Sequence, residues 1–213
     1  FGDAPAQSLS TNDGAVTYYW RIRFWDDDGA YGAWSTETAT FTMQDSGSLS
    51  IDIVNSSDEP VSDTVSMSSI SYSNTVSQTS TGTMPSGSNK LKVINSSGSR
   101  TWSVTIGPTS GSGATLSNGG GTQHIDFNDT GGAGQLTINA NNGTLTGVDG
   151  TSTTGVTKNG STAFTGASIT ILSADDTAST TGTWTLTGVS LSQTIPAKTP
   201  ATTYTIELTI TIS

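Results

Sequence analysis

Apolar and hydroxyl-bearing residues alternate along much of this chain, and their period of two limits the folds that it can adopt. The alternation is most regular in Tyr204–Ile212, where large apolar residues occupy every second position. Successive side chains of a β-strand point to opposite faces, and β-branched residues suit that pleated surface. No window shows the i, i+3, i+4, i+7 apolar spacing of an amphipathic helix. The sequence therefore predicts an all-β protein.

Clusters of glycine, asparagine and serine, such as Asn95–Gly98 and Ser117–Gly121, separate the alternating segments. Short strands with frequent turn signals are typical of sandwiches and barrels. We predict an antiparallel β-sandwich of the immunoglobulin or fibronectin-like class. The segments predicted to be strands are Thr17–Trp25, Glu37–Met43, Leu49–Val54, Val65–Tyr72, Gln78–Met84, Leu91–Asn95, Trp102–Ile106, Gln123–Phe127, Leu136–Asn139, Ile169–Ser173, Thr183–Thr187, Leu191–Ile195 and Tyr204–Ile212.

Charge and cysteine content exclude several classes of function. The net charge is −10 and the isoelectric point is near 4.1, so the phosphates of DNA or RNA would be repelled. Without cysteine, the chain has neither disulfides nor a thiolate metal site. No apolar stretch reaches the roughly 18 residues that a membrane-spanning helix needs. Phe1–Ala4 does not resemble a signal peptide, so we expect a mature or partial segment of a longer, secreted protein.

Composition changes near Gln44–Ser48. Before this stretch the chain is rich in aromatic residues, and after it serine, threonine and glycine dominate. A composition shift of this kind marks a candidate domain boundary. We predict a small N-terminal unit at residues 1–44 and a larger β-sandwich domain at residues 45–213.

The first unit contains the run DGAVTYYWRIRFW from Asp13 to Trp25, followed by Asp26–Gly29 and then by Trp34-Ser35. This order resembles the last part of a fibronectin type III domain. In that family a loop ending in glycine leads to the tyrosine-corner strand, then to a hairpin, then to a strand that begins near Trp-Ser. The resemblance implies that Tyr18 is the corner tyrosine, whose hydroxyl bonds to backbone upstream.

A complete domain of this family has about seven strands and about 100 residues, whereas the first unit has room for the last two or three strands. So short a fragment cannot bury Trp20, Phe24 and Trp25 by itself. Either strands further upstream in the full protein cover these rings, or a neighbouring molecule covers them.

The second domain contains Trp184-Thr185-Leu186, followed by Gln193–Ala197 and the tail that Tyr204 begins. This order is similar to that of WxL-type cell-wall-binding domains, and to C-terminal domains that follow fibronectin type III repeats in bacterial surface proteins, including those of candidate-phyla bacteria. A WxL domain carries two Trp-x-Leu motifs; the upstream counterpart here, Trp102-Ser103-Val104, has valine in place of leucine. The resemblance implies a cell-surface β-sandwich.

Trp102 and Trp184 each begin an alternating segment, so we expect both rings in the core; stacking on a ligand is the alternative. The tail is expected to be the last strand of its own sheet. Alternatively, the tail or another terminal segment adds to the sheet of a neighbouring subunit. In that case the assembly strand consists of Tyr204, Ile206, Leu208, Ile210 and Ile212.

Residues suited to catalysis are few. His124 is the one histidine, and it is separated from Asp126 by a single residue on a predicted strand, without the context of a nucleophile elbow. Glutamate occurs at Glu37, Glu59 and Glu207, which does not indicate a glycosidase pair. We therefore expect no enzymatic activity.

Calcium is the cofactor that the sequence favours. Hard oxygen ligands on short loops suit Ca²⁺, and two such clusters precede glycine-containing turns. The alternative is a solvated acidic turn, because aspartate and asparagine favour turns for local hydrogen bonding. The candidate ligands are Asp26, Asp27 and Asp28 in one cluster and Asp126, Asn128 and Asp129 in the other.

These patterns predict a structural extracellular surface protein, a self-assembling subunit or stalk module of a filament, pilus-like fibre or surface layer. Its partner would be a second copy, joined by strand addition or sheet packing. The alternatives are an adhesion module for cell-wall polymer or carbohydrate, and a non-catalytic accessory segment of a larger secreted enzyme.

Overall fold

The computed structural model describes residues 16–36, 39–43, 47–130 and 133–213. The chain forms two compact units, Phe1–Gly47 and Ser48–Ser213, which divide within the stretch where the composition changes. In the first unit, β1 (Val16–Trp20) pairs antiparallel with β2 (Ala39–Met43).

The second unit is built from the remaining strands and one three-residue 3₁₀ turn, Ala140–Asn142. In chain order the strands are β3 (Leu49–Val54), β4 (Gln78–Met84), β5 (Lys90–Asn95), β6 (Trp102–Pro108), β7 (Thr115–Asn118), β8 (His124–Asp126), β9 (Leu136–Asn139), β10 (Thr144–Gly147), β11 (Val156–Lys158), β12 (Ser161–Ala163), β13 (Ile169–Ala174), β14 (Gly182–Thr187), β15 (Val189–Ile195), β16 (Tyr204–Thr205) and β17 (Leu208–Ile212).

These strands form four antiparallel sheets, with the orders β10-β14-β5-β3, β11-β13-β6-β17, β12-β9-β15-β4 and β16-β7-β8. Every pairing is antiparallel, and all four sheets contribute apolar side chains to one buried cluster. Burial alternates along the strands, as in β5, where Leu91 and Val93 are buried between half-buried lysines. The prediction of an all-β, antiparallel β-sandwich is confirmed. No helix in the described ranges is long and apolar enough to cross a membrane.

Two predicted strands are shorter or divided. The strand expected at Thr17–Trp25 ends at Trp20, and beyond it the backbone pairs through isolated bonds. The strand expected at Tyr204–Ile212 is divided at Ile206–Glu207. Its first part pairs with β7 and its second with β6, which belong to different sheets, so the chain changes sheets without losing its alternation. Of the strand predicted at Glu37–Met43, residues 37 and 38 lie outside the described residues.

The prediction of a strand at Val65–Tyr72 is wrong. The segment runs beside β4, but side-chain hydroxyls take the place of ladder bonds. The Ser68 N–H donates to the Thr81 carbonyl (2.7 Å), whereas the Thr81 N–H donates to Ser68 Oγ (2.9 Å) rather than to the Ser68 carbonyl. The Ser68 carbonyl accepts from Ser80 Oγ (2.6 Å) instead. Serine commonly competes with regular backbone pairing in this way.

Four short strands were not predicted from the sequence: Thr115–Asn118, Thr144–Gly147, Val156–Lys158 and Ser161–Ala163. Each has three or four residues and only one apolar side chain, so a period of two cannot be recognised. These segments are strands because their backbones pair with neighbouring strands.

Candidate functional site

Trp102 and Trp184 lie in the core of the second unit. They are 4% and 0% exposed, their ring centroids are 5.3 Å apart, and the ring planes are inclined by 51°. The indole N–H of Trp184 donates to the carbonyl of Ser152 (2.9 Å), as a buried indole usually requires. The prediction of core packing is confirmed, and neither ring is open to a ligand.

The first unit, in contrast, presents the large apolar side chains that the structure describes to solvent. No described side chain of this unit is buried. The prediction that it cannot bury Trp20, Phe24 and Trp25 is confirmed. A group of exposed apolar side chains marks an interaction site, whereas single exposed apolar residues do not. The residues of this aromatic surface are Tyr19, Trp20, Ile22, Phe24, Trp25, Tyr31 and Trp34, each 47% to 75% exposed.

Local backbone pairing positions this surface. Beyond Trp20 the two arms of the hairpin remain connected, because the Ser35 N–H donates to the Ile22 carbonyl (2.8 Å) and the Gly32 N–H donates to the Phe24 carbonyl (3.0 Å). The backbone of residues 20–25 is therefore held extended although it is not a regular strand. Its side chains alternate between two faces.

One face of the hairpin is organised around Arg23. Its guanidinium carbon lies 4.8 Å, 4.1 Å and 4.6 Å from the ring centroids of Trp25, Tyr31 and Trp34. Arg23 Nε is buried and has no hydrogen-bond partner. Cation–π attraction to three rings takes the place of that bond. We call this group the arginine cage.

The other face is apolar and has no cover within the described part of the first unit. Trp20, Ile22 and Phe24 alternate with Arg21 and Arg23, so they point away from the arginine cage. They are 52%, 47% and 75% exposed. One face of the hairpin thus carries aromatic rings around a cation. The other carries Trp20, Ile22 and Phe24. Tyr18, the predicted corner tyrosine, lies in β1, but its side chain is outside the described part of the structure.

The predicted calcium ligands of the first unit lie in the turn of this hairpin. Asp26 Oδ1 accepts the N–H groups of Asp28 (3.2 Å) and Ala30 (2.8 Å), and Gly29 adopts a φ of +79°. These contacts are those of an Asx turn. Asp27 and Asp28 are exposed.

The second predicted calcium cluster lies at and after the end of β8. Asp126 Oδ1 accepts the Asn128 N–H (3.0 Å), and Asn128 Nδ2 donates to the Ser112 carbonyl (3.2 Å). Asp129 is exposed. Among the described residues, no three His, Cys, Asp or Glu side chains come together as metal ligands would. Calcium binding stays a prediction at both clusters.

His124 contacts two hydroxyl groups, which the sequence did not indicate. Its Nδ1 lies 2.9 Å from Ser117 Oγ and 3.1 Å from Thr115 Oγ1, both on the paired strand β7. In a Ser-His-Asp triad the two ring nitrogens contact the nucleophile and the carboxylate separately. Here both hydroxyls share one nitrogen, and Asp126 binds the backbone of Asn128. The histidine is exposed on a sheet surface.

The predicted assembly strand lies inside its own domain. Tyr204, Ile206, Leu208, Ile210 and Ile212 are all half-buried, and the intervening residues are exposed, so the predicted division into two faces is observed. β17 forms one edge of its sheet. Addition of this strand to another subunit stays a prediction.

Tyr204 makes a contact that the sequence assigned to a different tyrosine. Its hydroxyl donates to the carbonyl of Pro200, four residues upstream (3.2 Å). A tyrosine corner has a hydroxyl that bonds to backbone a few residues upstream. Desolvation raises the pKa of Tyr204 above its ordinary value.

The arginine cage was not predicted. Two features of the sequence could have indicated it. Arg23 and Trp25 are two residues apart, which places both on one face of an extended chain. Tyr31 and Trp34 follow the glycine turn, on the arm of the hairpin that runs back beside Arg23. The chain matches no protein-family model, no curated protein and no solved structure. Its resemblances to fibronectin type III and WxL domains therefore stay predictions.

Proposed function

We propose that this chain is a structural, extracellular surface protein that assembles through the apolar face of its first unit. It would act as a subunit or stalk module of a filament, pilus-like fibre or surface layer. The observation that carries the proposal is the exposure of Trp20, Ile22 and Phe24 on one face of a two-stranded hairpin.

Energetics support a partner for this face. Burial of one large apolar side chain contributes about 1.5–3 kcal/mol, so covering three of them would contribute several kcal/mol. Two antiparallel strands cannot form a core by themselves. A second copy that covers the face makes the chain an assembling subunit. Strands from upstream in the full protein would make it a stalk module instead.

Chemistry and charge fit a structural role. Outside the buried core of the second unit, the described surface is dominated by serine and threonine, and the net charge of −10 favours solubility over non-specific binding. We place the protein outside the cell on the strength of its cysteine-free, hydroxyl-rich sandwich and its fibronectin-like hairpin. No catalytic step is part of the proposal.

The test is the assembly state of the purified protein, by light scattering and negative-stain electron microscopy. We expect concentration-dependent association that the double variant Trp20→Ser/Phe24→Ser strongly reduces. A matched control is Ile94→Ser, which removes a 39% exposed apolar side chain from the second unit. Monodisperse monomers of the unaltered protein at every concentration would contradict the proposal.

A second candidate function is adhesion to carbohydrate through the arginine cage. Trp25, Tyr31 and Trp34 are 60%, 63% and 50% exposed while their positions are fixed by Arg23. Rigid, exposed rings suit stacking because they lose little conformational entropy on binding. Pull-down with isolated peptidoglycan, comparing the unaltered protein with Trp25→Ala/Tyr31→Ala, tests this function. Equal retention of both proteins would count against it.

A further inference from the structure

The segment Ser62–Tyr72 is an extended stretch at an edge of the second unit. From Val61 to Ser68, half-buried and exposed side chains alternate, as in a strand. Yet between Ser62 and Tyr72 one backbone–backbone hydrogen bond is formed, from Ser68 to Thr81 on β4. β4 is itself the edge of its sheet, so the segment continues that sheet as a loosely attached outer strand.

The outer side of this segment offers unpaired backbone groups. Ser68 directs its N–H and carbonyl towards β4. Because these groups point to alternate sides along an extended chain, those of Met67 and Ser69 point away from β4. A row of unpaired N–H and carbonyl groups is a template for pairing with another strand.

A wide groove borders the segment. Its volume is about 1030 Å³, and it lies between residues 61–73 and residues 199–208. Its apolar walls include Met84, Leu116, Leu136 and Leu191, which belong to the core cluster. Gln193, 1% exposed, also lines it, and the buried oxygen of its side chain has no hydrogen-bond partner among the described residues. The sandwich is open along this side.

Charge distinguishes this edge from the rest of the chain. Residues 64–89 contain no charged side chain, although the chain as a whole carries a net charge of −10. Natural edge strands are usually protected by lysine, proline or inward charges, and Thr64–Tyr72 has none of these. Its end instead exposes Ile70 (37%) and Tyr72 (60%).

We propose that Thr64–Tyr72 is an interface at which two copies of this chain pair edge to edge, antiparallel about a twofold axis. The absence of charge favours a second copy, because the uncharged Thr64–Tyr72 can meet its own copy without the repulsion that two molecules of net charge −10 experience elsewhere. The partner's segment satisfies the outer backbone groups and covers the mouth of the groove. This inference rests on the proposed self-assembly and adds a second contact surface to it.

The absence of cysteine makes a direct test possible. Single cysteines are introduced by Thr64→Cys, Ser66→Cys, Ser69→Cys and Ser71→Cys, with Ser110→Cys in an exposed turn as the control. In such a dimer, the residue nearest the twofold axis lies beside the same residue of the other copy. For each residue further along the strand, the distance between equivalent residues of the two copies grows by about 6.6 Å, which is two strand rises. Disulfides need Cα atoms about 4.4–6.8 Å apart. We expect disulfide-linked dimer to peak at one position of the segment and to fall on either side.

A second variant tests the backbone pairing. Ser69→Pro removes an N–H that faces the partner in both copies, whereas Ser69→Ala retains it. Two lost hydrogen bonds at about 1 kcal/mol each should raise the dimer Kd about tenfold or more. The near-ultraviolet circular dichroism of the Trp102–Trp184 pair reports whether the second unit remains folded. At the position where cross-linking peaks, substitutions by Lys and by Asp should each weaken the dimer, and mixing the two variants should restore it.

The outcomes separate this inference from the proposed function. Cross-linking in the segment equal to that of Ser110→Cys, with an unchanged Kd for Ser69→Pro, overturns the inference. If Trp20→Ser/Phe24→Ser abolishes association in that case, the proposed function stands. Monomeric behaviour of the unaltered protein overturns both.

Discussion

The five tryptophans of this chain have opposite environments in its two units. Trp102 and Trp184 are almost fully buried and face each other, whereas Trp20, Trp25 and Trp34 are 50% or more exposed. Both groups lie on extended chain with a period of two. Alternation therefore determines which face a ring occupies, but burial requires an opposing layer. In the described ranges, the second unit has four sheets to supply that layer, and the first has two strands.

The space beside the backbone also differs between a glycine of the second unit and a glycine of the first. In the second unit a Cβ added at Gly107 would collide with the carbonyl oxygen of Ala167. In the first unit the nearest atom to a Cβ added at Gly32 would be the Phe24 carbonyl oxygen, 3.9 Å away. The second unit thus leaves no room for a side chain at Gly107, whereas the first unit leaves space beside its backbone at Gly32.

The largest effect is expected from removing a buried ring. Trp184→Ala should lower the free energy of unfolding by about 3–5 kcal/mol, because it leaves a cavity in the core. Trp25→Ala, in the exposed surface, should change it by less than about 1 kcal/mol. Urea titration followed by far-ultraviolet circular dichroism measures both. Equal losses would show that the first unit is buried in solution.

The next largest effect is expected from adding a methyl group where the backbone is closely packed. Gly107→Ala should lower the free energy of unfolding by about 1–3 kcal/mol, because a backbone carbonyl cannot move as a side chain can. Gly32→Ala should be close to neutral. Gly113→Ala is the control within the second unit, since no atom lies within 4 Å of its Cβ. Thermal melts give the Tm of the three variants. A Tm of Gly107→Ala equal to those of Gly32→Ala and Gly113→Ala would refute the difference in packing.

A smaller effect is expected in the arginine cage. Arg23→Gln removes the cation that holds three rings, an attraction of about 0.5–1 kcal/mol at an exposed site. The rings should become more mobile, so iodide should quench tryptophan fluorescence more strongly. Arg23→Lys should preserve most of the protection because it keeps the charge. Unchanged quenching in Arg23→Gln would show that the rings are ordered by something else.

The smallest effect depends on pH. Burial alone would raise the pKa of Asp63, but hydrogen bonds from Ser86, Asn89 and backbone outweigh it and lower that pKa. A carboxyl whose pKa is lower in the folded state stabilises the fold above the unfolded pKa, about 3.9, and loses that contribution as the pH falls through the folded value. The Tm should therefore decrease below about pH 4, and less so in Asp63→Asn. Asp26→Asn, in the turn of the first unit, is the comparison, and an equal response from both variants would contradict this assignment.

The sequence was sufficient for the fold class and for most long strands. Leu49–Val54, Gln78–Met84 and Leu136–Asn139 were predicted with the observed bounds. Apolar residues repeat at a period of two in the first and the third, and threonine does so in the second. Pairing partners were not predictable, since the alternation in Tyr204–Ile212 continues unbroken across a change of sheet. Alternation in Val65–Tyr72 did not indicate that serine hydroxyls would replace ladder bonds.

For the candidate site, the sequence indicated exposure but not arrangement. The shortness of the first unit predicted that Trp20, Phe24 and Trp25 would be uncovered. The arginine cage needs the hairpin turn to bring Tyr31 and Trp34 back to Arg23, and that contact depends on the register of the two arms. Likewise, the Tyr204 hydroxyl contact depends on the loop that returns Pro200 to the ring.

The pairing of β17 with β6 has a mechanical consequence. The two strands are antiparallel neighbours over Leu208–Ile212, and Ser213 exchanges two hydrogen bonds with Ser103 (2.8 Å and 3.0 Å). These bonds are perpendicular to the strands, so tension on the chain along β17 would load the whole ladder in shear. Force directed across the strands would instead break the rungs one after another. The direction of pull would thus determine how well this domain bears load.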